Sequence, residues 1–150
     1  MQNFKSHKDT RLSLKPLTLL TGVNGSGKSS VIQSLLLLRQ SYKRQQLKQN
    51  LFLNDTLCGI GIGKDAVYQS AEEDFILFAF KSNGVDYSWK FASNESKDFL
   101  SIYEDNCNNP DLSETTLFTN DFQYLSAGRL PEFKYEREDV LVENERQKKQ

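Results

Sequence analysis

The chain has 150 residues, of which 37% are hydrophobic and 26% charged, a composition that predicts one domain with a modest core and excludes disorder over the full length. Its 19 basic and 20 acidic side chains give a net charge of -1, which excludes a basic nucleic-acid-binding surface over the whole chain but leaves a local patch open. The longest apolar run, residues 75–80, is far shorter than the roughly 20 residues that span a bilayer, and the N-terminus is polar where a signal peptide is apolar. We therefore expect a cytoplasmic protein with no membrane partner.

Histidine and cysteine are too scarce for several kinds of chemistry. The single histidine, His7, lies in what the sequence indicates is a charged N-terminal tail, so histidine-based triads and multi-histidine metal sites are disfavoured. The two cysteines, Cys58 and Cys107, have no metal-ligand spacing. One disulfide is open to them, but a reduced pair fits an intracellular protein better.

The strongest local signal is a glycine-rich motif between two apolar segments. Residues 17–20 form a short apolar run after Pro16 and predict a buried strand. Residues 22–29 read G-V-N-G-S-G-K-S and satisfy the pattern G-x-x-x-x-G-K-[ST]. Apolar residues then recur at helical spacing and predict a helix over residues 28–48. Strand, glycine-rich loop and helix in this order indicate a phosphate-binding P-loop; a Gly/Ser-rich turn beside a surface lysine is the alternative.

The residue types in this motif suit a nucleoside triphosphate. Glycines let the backbone wrap closely around phosphate, and N–H groups at the start of the helix attract the anion. Lys28 can reach the β- and γ-phosphates, while the Ser29 hydroxyl can ligate Mg²⁺. The predicted nucleotide-binding residues are Gly22, Asn24, Gly25, Ser26, Gly27, Lys28, Ser29 and Ser30, with Ser29 as the Mg²⁺ ligand.

Residues 12–38 resemble the opening of bacterial AAA-type ATPases of the ABC class, which include relatives of the overcoming-lysogenization-defect and structural-maintenance-of-chromosomes proteins. Loops in that family commonly read G-x-N-G-x-G-K-S, which residues 22–29 match, Asn24 included. The resemblance implies an α/β P-loop NTPase fold, with an ABC-ATPase-like N-terminal lobe over residues 1–135 and an antiparallel β subdomain. It also implies ATP and Mg²⁺ as cofactors, a homodimer through the ATPase head, and action on nucleic acid in repair or phage defence. The sequence predicts that residues 136–150 are a charged tail or linker.

The rest of the first helix carries weaker signals. Four successive leucines at residues 35–38 predict burial on more than one side of the helix. The basic residues Lys43, Arg44 and Lys48 suit the negative pole of the helix dipole at its end. Contact with nucleic acid is the alternative for these three side chains.

A β-rich region follows. The G-x-G-x-G run at residues 59–63 has neither the spacing nor the following helix of a dinucleotide site and predicts a turn or bulge. Residues 75–81 and the alternating apolar residues over 85–91 predict two strands joined by a hairpin turn at Asn83 and Gly84. Residues 99–103 predict a third strand. The aromatic residues of this region could stack on bases, but a face packed on the core is the favoured interpretation.

The C-terminal third predicts a strand at residues 122–125 and offers only weak candidates for catalysis. Residues 125–129, L-S-A-G-R, faintly resemble the ABC signature L-S-G-G-Q, and residues 139–143 are the nearest match to an apolar strand that ends in a carboxylate. A carboxylate for the Mg²⁺ shell and a group that orients water are otherwise not visible. The sequence therefore predicts the N-terminal part of a longer ATPase, which on its own binds nucleotide weakly. A standalone, non-hydrolysing nucleotide-binding or interaction module is the alternative. A small P-loop kinase is a third option.

Overall fold

The computed structural model describes residues 1–94, 96–103 and 111–126. Its helices are α1 (Lys28–Lys43) and α2 (Gly63–Ala66), and its strands are β1 (Gln2–Phe4), β2 (His7–Asp9), β3 (Asn50–Phe52), β4 (Phe75–Ser82), β5 (Val85–Ala92) and β6 (Phe99–Ser101). One sheet has the order β2-β1-β4-β5, and β3 pairs with β6 in a second. Every strand pairing within the described residues is antiparallel, which confirms a mixed α/β chain with antiparallel sheets.

The hairpin β4–β5 forms where the sequence predicts it. Asn83 and Gly84 both adopt positive φ, 52° and 82°, as a two-residue hairpin turn of the favoured hand requires. The alternating side chains Tyr87, Trp89 and Phe91 are buried in the core. The interpretation of this aromatic row as a core face is confirmed, and these rings are not available to stack on bases.

The third predicted strand forms over Phe99–Ser101. Strand β6 pairs with β3, placing Leu100 opposite Leu51, and both side chains are fully buried. A single bridge between Phe91 and Ile102 connects this pair to the hairpin. The pairing brings together segments about fifty residues apart, which a local pattern cannot specify.

Helix α1 starts at the predicted residue and ends five residues early, at Lys43 instead of residue 48. Gln45 has a φ of 58°, a left-handed conformation that ends the helix, and the chain reverses so that Leu47 is buried before β3 begins. Leu36, Leu37 and Leu38 are all buried, so the predicted burial on more than one side is confirmed.

Arg44 at the end of α1 has structural partners. Its Nε lies 2.5 Å from Asp55 Oδ2, and its guanidinium lies 4.4 Å from the centre of the Phe52 ring. A hydrogen bond from the Thr56 backbone N–H, together with Arg44, holds the pKa of Asp55 below its ordinary value. Contact of Lys43 and Lys48, both exposed, with nucleic acid stays a prediction.

The predicted buried strand at residues 17–20 does not form. Residues 11–19 are all exposed, Leu17 and Leu19 by 91% and 83%. A buried strand needs hydrogen-bonding neighbours for its backbone, and no strand in the described parts of the chain pairs with this segment. The prediction is wrong for this chain because the local apolar pattern has no partner here.

The predicted strand at residues 122–125 is also wrong. Two 3₁₀ turns, Leu112–Glu114 and Thr116–Phe118, precede it, and the chain then runs on without strand pairing as far as residue 126. The buried Arg39 holds this region, donating hydrogen bonds to the carbonyls of Leu117 and Thr119, with its guanidinium 4.5 Å from the centre of the Phe122 ring. The carbonyls just before the predicted strand are therefore bound by a side chain of α1.

The turn predicted around residues 59–63 is confirmed. Asn54 Oδ1 accepts hydrogen bonds from the N–H groups of Ile60 and Gly61, and Gly61 has a φ of 110°. The sequence did not predict the single helical turn α2 that follows. Within the described ranges, no helix is long and apolar enough to cross a membrane.

The structure describes the single histidine, His7, and one of the two cysteines, Cys58. His7 belongs to β2 and is buried, so its assignment to a charged tail is wrong. Cys58 is a free, buried thiol, and burial raises its pKa. Cys107, residues 127–129 of the signature-like stretch and residues 139–143 lie outside the described residues.

Candidate phosphate-binding site

The glycine-rich loop leads from the exposed segment directly into α1. Gly25 and Gly27 have φ values of 83° and 86°, in the left-handed region that favours glycine. A Cβ at Gly25 would meet open space, so the backbone alone requires glycine there. At Gly27 a Cβ would also overlap the His7 ring and the Ser6 hydroxyl. The loop therefore packs against the turn between β1 and β2.

Backbone donors are unpaired where the loop becomes a helix. The N–H groups of Gly25, Gly27, Lys28 and Ser29 have no acceptor among the residues that the structure describes. The first N–H groups of a helix have no carbonyl one turn earlier to receive them, and the helix dipole adds a partial positive charge at this end. These donors can bind an anion.

The Lys28 side chain folds back over the loop. Its Nζ donates to the carbonyls of Gly22 at 2.7 Å and Val23 at 2.6 Å, while the Ser26 hydroxyl lies at 3.4 Å. An ammonium group has three N–H donors, and only two make short bonds. The third is weakly bound and available to a phosphate oxygen.

A pocket of about 430 Å³ lies beside these groups. Six of the eight predicted site residues line it: Asn24, Gly25, Gly27, Lys28, Ser29 and Ser30. Gly22 and Ser26 do not line it but contact Lys28 Nζ from the loop. The structure thus brings the predicted residues together around one cavity.

Three further residues line the pocket that sequence reasoning missed: Lys5, Ser6 and Gln33. Lys5 and Ser6 form the turn between β1 and β2, and Lys5 Nζ donates to Gln33 Oε1 at 2.9 Å. Gln33 could have been found, because it lies four residues after Ser29 and so on the same face of the helix. Lys5 gives no such signal, because only the fold brings it to the loop.

The charge of the pocket suits a polyphosphate. Its lining contains two lysines and, within the described part of the chain, no carboxylate. Mg²⁺ usually takes one or two protein ligands and completes its shell with phosphate oxygens and water, so the Ser29 hydroxyl fits as one ligand of a nucleotide-bound Mg²⁺. The described ranges contain no cluster of three or more His, Cys, Asp or Glu side chains that could hold a metal without a nucleotide.

A glycine-rich loop that opens a helix, with unpaired N–H groups and a lysine folded over it, has the geometry of a P-loop. The sequence model of the AAA ATPase domain family matches residues 1–149, and the chain belongs to that family. It is also 30% identical over 114 residues to the DNA double-strand break repair Rad50 ATPase of Pyrococcus abyssi (strain GE5 / Orsay). That alignment covers 67% of this chain and 13% of the relative.

These similarities confirm the resemblance to AAA-type ATPases of the ABC class and assign the chain an ATPase-type nucleotide-binding role. No solved structure matches the chain. The chain spans only about an eighth of the length of the Rad50 relative, so the activity of that whole protein does not transfer to it directly.

Proposed function

We propose that this chain is the nucleotide-binding lobe of an ABC-class ATPase and that residues 22–29 hold the triphosphate of ATP with Mg²⁺. The observation that carries the proposal is the set of unpaired N–H groups at the start of α1, beside a pocket lined by Lys5 and Lys28. Backbone donors bind the phosphates, the weakly bound third donor of Lys28 reaches a terminal phosphate oxygen, and Ser29 ligates Mg²⁺.

A second observation supports an incomplete lobe. Leu12, Leu14, Leu17 and Leu19 lie close together in the sequence and are all exposed. Leu12 and Leu14 border a cleft of about 500 Å³ whose other wall includes Leu35 of α1. Contiguous exposed apolar residues usually mark a surface that another element covers. We propose that further strands of the same ATPase domain pair with this segment.

In the longer protein, we propose that the ATPase head forms a homodimer and acts on nucleic acid, in repair or phage defence. The name of the Pyrococcus abyssi relative, which refers to DNA double-strand break repair, supports this proposal. The resemblance to overcoming-lysogenization-defect and structural-maintenance-of-chromosomes ATPases supports it further.

A standalone, non-hydrolysing nucleotide-binding module is the second candidate. It is favoured by the absence of a carboxylate from the described lining of the pocket, because hydrolysis needs one to hold the Mg²⁺ shell. The gene sequence after the codon for Gln150 separates the two candidates. An apolar segment that ends in Asp-Glu supports the lobe, whereas an immediate stop codon supports the module.

Titration of a fluorescent ATP analogue in the presence of Mg²⁺ tests the site. We expect Lys28→Ala to weaken binding about ten- to a hundredfold, because charge-assisted hydrogen bonds contribute about 1.5–3 kcal/mol. Lys43→Ala is the matched control, because Lys43 is an exposed lysine at the opposite end of the same helix. Wild-type affinity in Lys28→Ala would show that the loop does not bind the phosphates.

A further inference from the structure

Strand β2 contacts the loop through a residue that does not line the pocket. His7 is the first residue of β2, and its side chain is only 9% exposed. Its Nε2 lies 3.0 Å from the carbonyl oxygen of Gly27, and its Nδ1 lies 2.9 Å from Thr10 Oγ1. Both ring nitrogens are therefore in hydrogen-bond contact.

The partners of the ring define its tautomer. A carbonyl oxygen can only accept, so Nε2 carries the hydrogen that is donated to Gly27. In the neutral ring, Nδ1 then accepts from the Thr10 hydroxyl, which can rotate to donate. Thr10 thus favours the one neutral tautomer that can bind the loop.

The Gly27 carbonyl controls the direction of a phosphate-binding donor. It belongs to the same peptide plane as the Lys28 N–H, and in a trans peptide the two groups point in opposite directions. A carbonyl held towards His7 therefore turns the Lys28 N–H away from His7. That N–H is one of the unpaired donors at the start of α1.

The first turn of the helix also binds this carbonyl. Gly27 O also accepts from Ser30 N at 2.9 Å and Val31 N at 3.2 Å, both from within the first turn of α1. His7 adds a donor from a different element, the strand β2. In addition, the ring fills the space beside the Gly27 Cα where a side chain would lie. The first turn of the helix is thereby fixed to the sheet.

We propose that His7 is a positioning residue for the phosphate-binding loop, whose Nε2–H orients the Gly27–Lys28 peptide so that the Lys28 N–H faces the nucleotide phosphates. This inference rests on the proposed function of the loop. It assigns the strand β2 a role in nucleotide affinity through a histidine that touches no nucleotide.

Three variants of the chain test the inference by titration of the same fluorescent ATP analogue with Mg²⁺. His7→Leu cannot donate to Gly27, and we expect its affinity to fall about two- to tenfold, the range for one net hydrogen bond. His7→Gln retains an N–H donor and should restore most of the affinity. Lys8→Ala changes the next residue of β2, which is exposed, and should bind as the wild type does.

Nuclear magnetic resonance reports the tautomer of the His7 ring, which a purely structural role of the residue in packing would not determine. His7 is the single histidine of the chain, so ¹⁵N–¹H spectra of the untagged protein report its tautomer without ambiguity. We expect the Nε2–H form, with a ring signal that shifts when ATP-Mg²⁺ is added. An Nδ1–H form, or a ring signal unaffected by nucleotide, would overturn the inference.

The outcomes separate the inference from the proposed function. Equal affinity of His7→Leu and wild type, with Lys28→Ala impaired, would refute the role of His7 alone. Unimpaired binding by Lys28→Ala would refute the proposed function and the inference with it. If circular dichroism shows that His7→Leu is unfolded, the affinity of His7→Gln and the ring spectrum of the wild type provide the test. Wild-type affinity of His7→Gln together with the Nε2–H tautomer supports the inference. A tenfold loss of affinity in His7→Gln, or the Nδ1–H tautomer, contradicts it.

Discussion

Two lysines from distant parts of the chain, Lys5 and Lys28, line the proposed phosphate pocket. Lys28 ends the glycine-rich loop and is tied to the Gly22 and Val23 carbonyls. Lys5 comes from the turn between β1 and β2 and is bound to a neutral partner, Gln33 Oε1. A neutral amide competes weakly with phosphate for an ammonium group, so Lys5 is free to exchange it for a nucleotide oxygen.

We expect Lys5→Ala to weaken ATP-Mg²⁺ binding about two- to tenfold, less than Lys28→Ala, because Lys5 must first release Gln33. Lys5→Arg should retain most of the affinity, because it preserves the charge at the pocket. Lys8→Ala removes an exposed lysine from the same hairpin and provides the control for net charge. The loss should diminish in high salt, and a Lys5→Ala chain that binds as tightly as Lys8→Ala would place the nucleotide away from this turn.

At the scale of elements, two turns have the clearest signatures in the local sequence. The turn at Asn83 and Gly84 joins two strands whose registers match residue by residue from Ser82 and Val85 outwards. The loop before α1 has positive φ at Gly25 and Gly27, where the proposed site brings the backbone close to a phosphate. Both are tight turns with a strong sequence signature, and both formed at the predicted positions. The pairing of β6 with β3, which depends on a distant partner, was not predicted.

Gly84→Ala tests the contribution of the hairpin turn to stability. A Cβ at this position meets no atom within 4 Å, so the cost arises from the backbone at a φ of 82° alone, about 1–2 kcal/mol. We expect a corresponding decrease in the free energy of unfolding by urea. Gly59→Ala is the matched control, because its Cβ would make only an ordinary contact, 3.7 Å from Asn54 Oδ1, and Gly59 does not adopt a positive φ. Equal stability of the two variants would contradict a glycine requirement in the turn.

At the scale of the whole molecule, the core is buried, while the segment before the glycine-rich loop is apolar and uncovered. Leu36, Leu37 and Trp89 are buried in one continuous core. Leu17 and Leu19, directly before the loop, project into solvent. Because the loop begins beside this uncovered segment, the geometry needed for hydrolysis is expected to depend on elements that pack against it.

We therefore expect the 150-residue chain to release phosphate from ATP no faster than its Lys28→Ala variant, with or without added DNA. The described pocket lining supplies cations and backbone donors but no carboxylate to complete a Mg²⁺ shell and no base to orient water. A sensitive phosphate-release assay with both proteins provides the measurement. Steady, Lys28-dependent release would contradict the expectation and direct attention to residues 125–129 and Glu143, which the sequence offers as weak catalytic candidates.

The sequence by itself determined the features that depend on neighbouring residues. The motif at residues 22–29 identified the loop, its lysine and the start of α1, because glycine spacing and helix initiation are local properties of the backbone. The same holds for the turn at Asn83 and Gly84 and for the apolar alternation that buries Trp89.

Only the tertiary structure decided the features that need a distant partner. His7, which the sequence assigned to a tail, lies within hydrogen-bond distance of Gly27. Lys5 lines the pocket, and β6 pairs with β3. The tertiary structure also left residues 17–19 exposed, although the apolar pattern of residues 17–20 predicts a buried strand. An apolar pattern indicates which face of a segment can be buried. Burial also requires a second surface and partners for the backbone hydrogen bonds, and these are supplied by the rest of the fold.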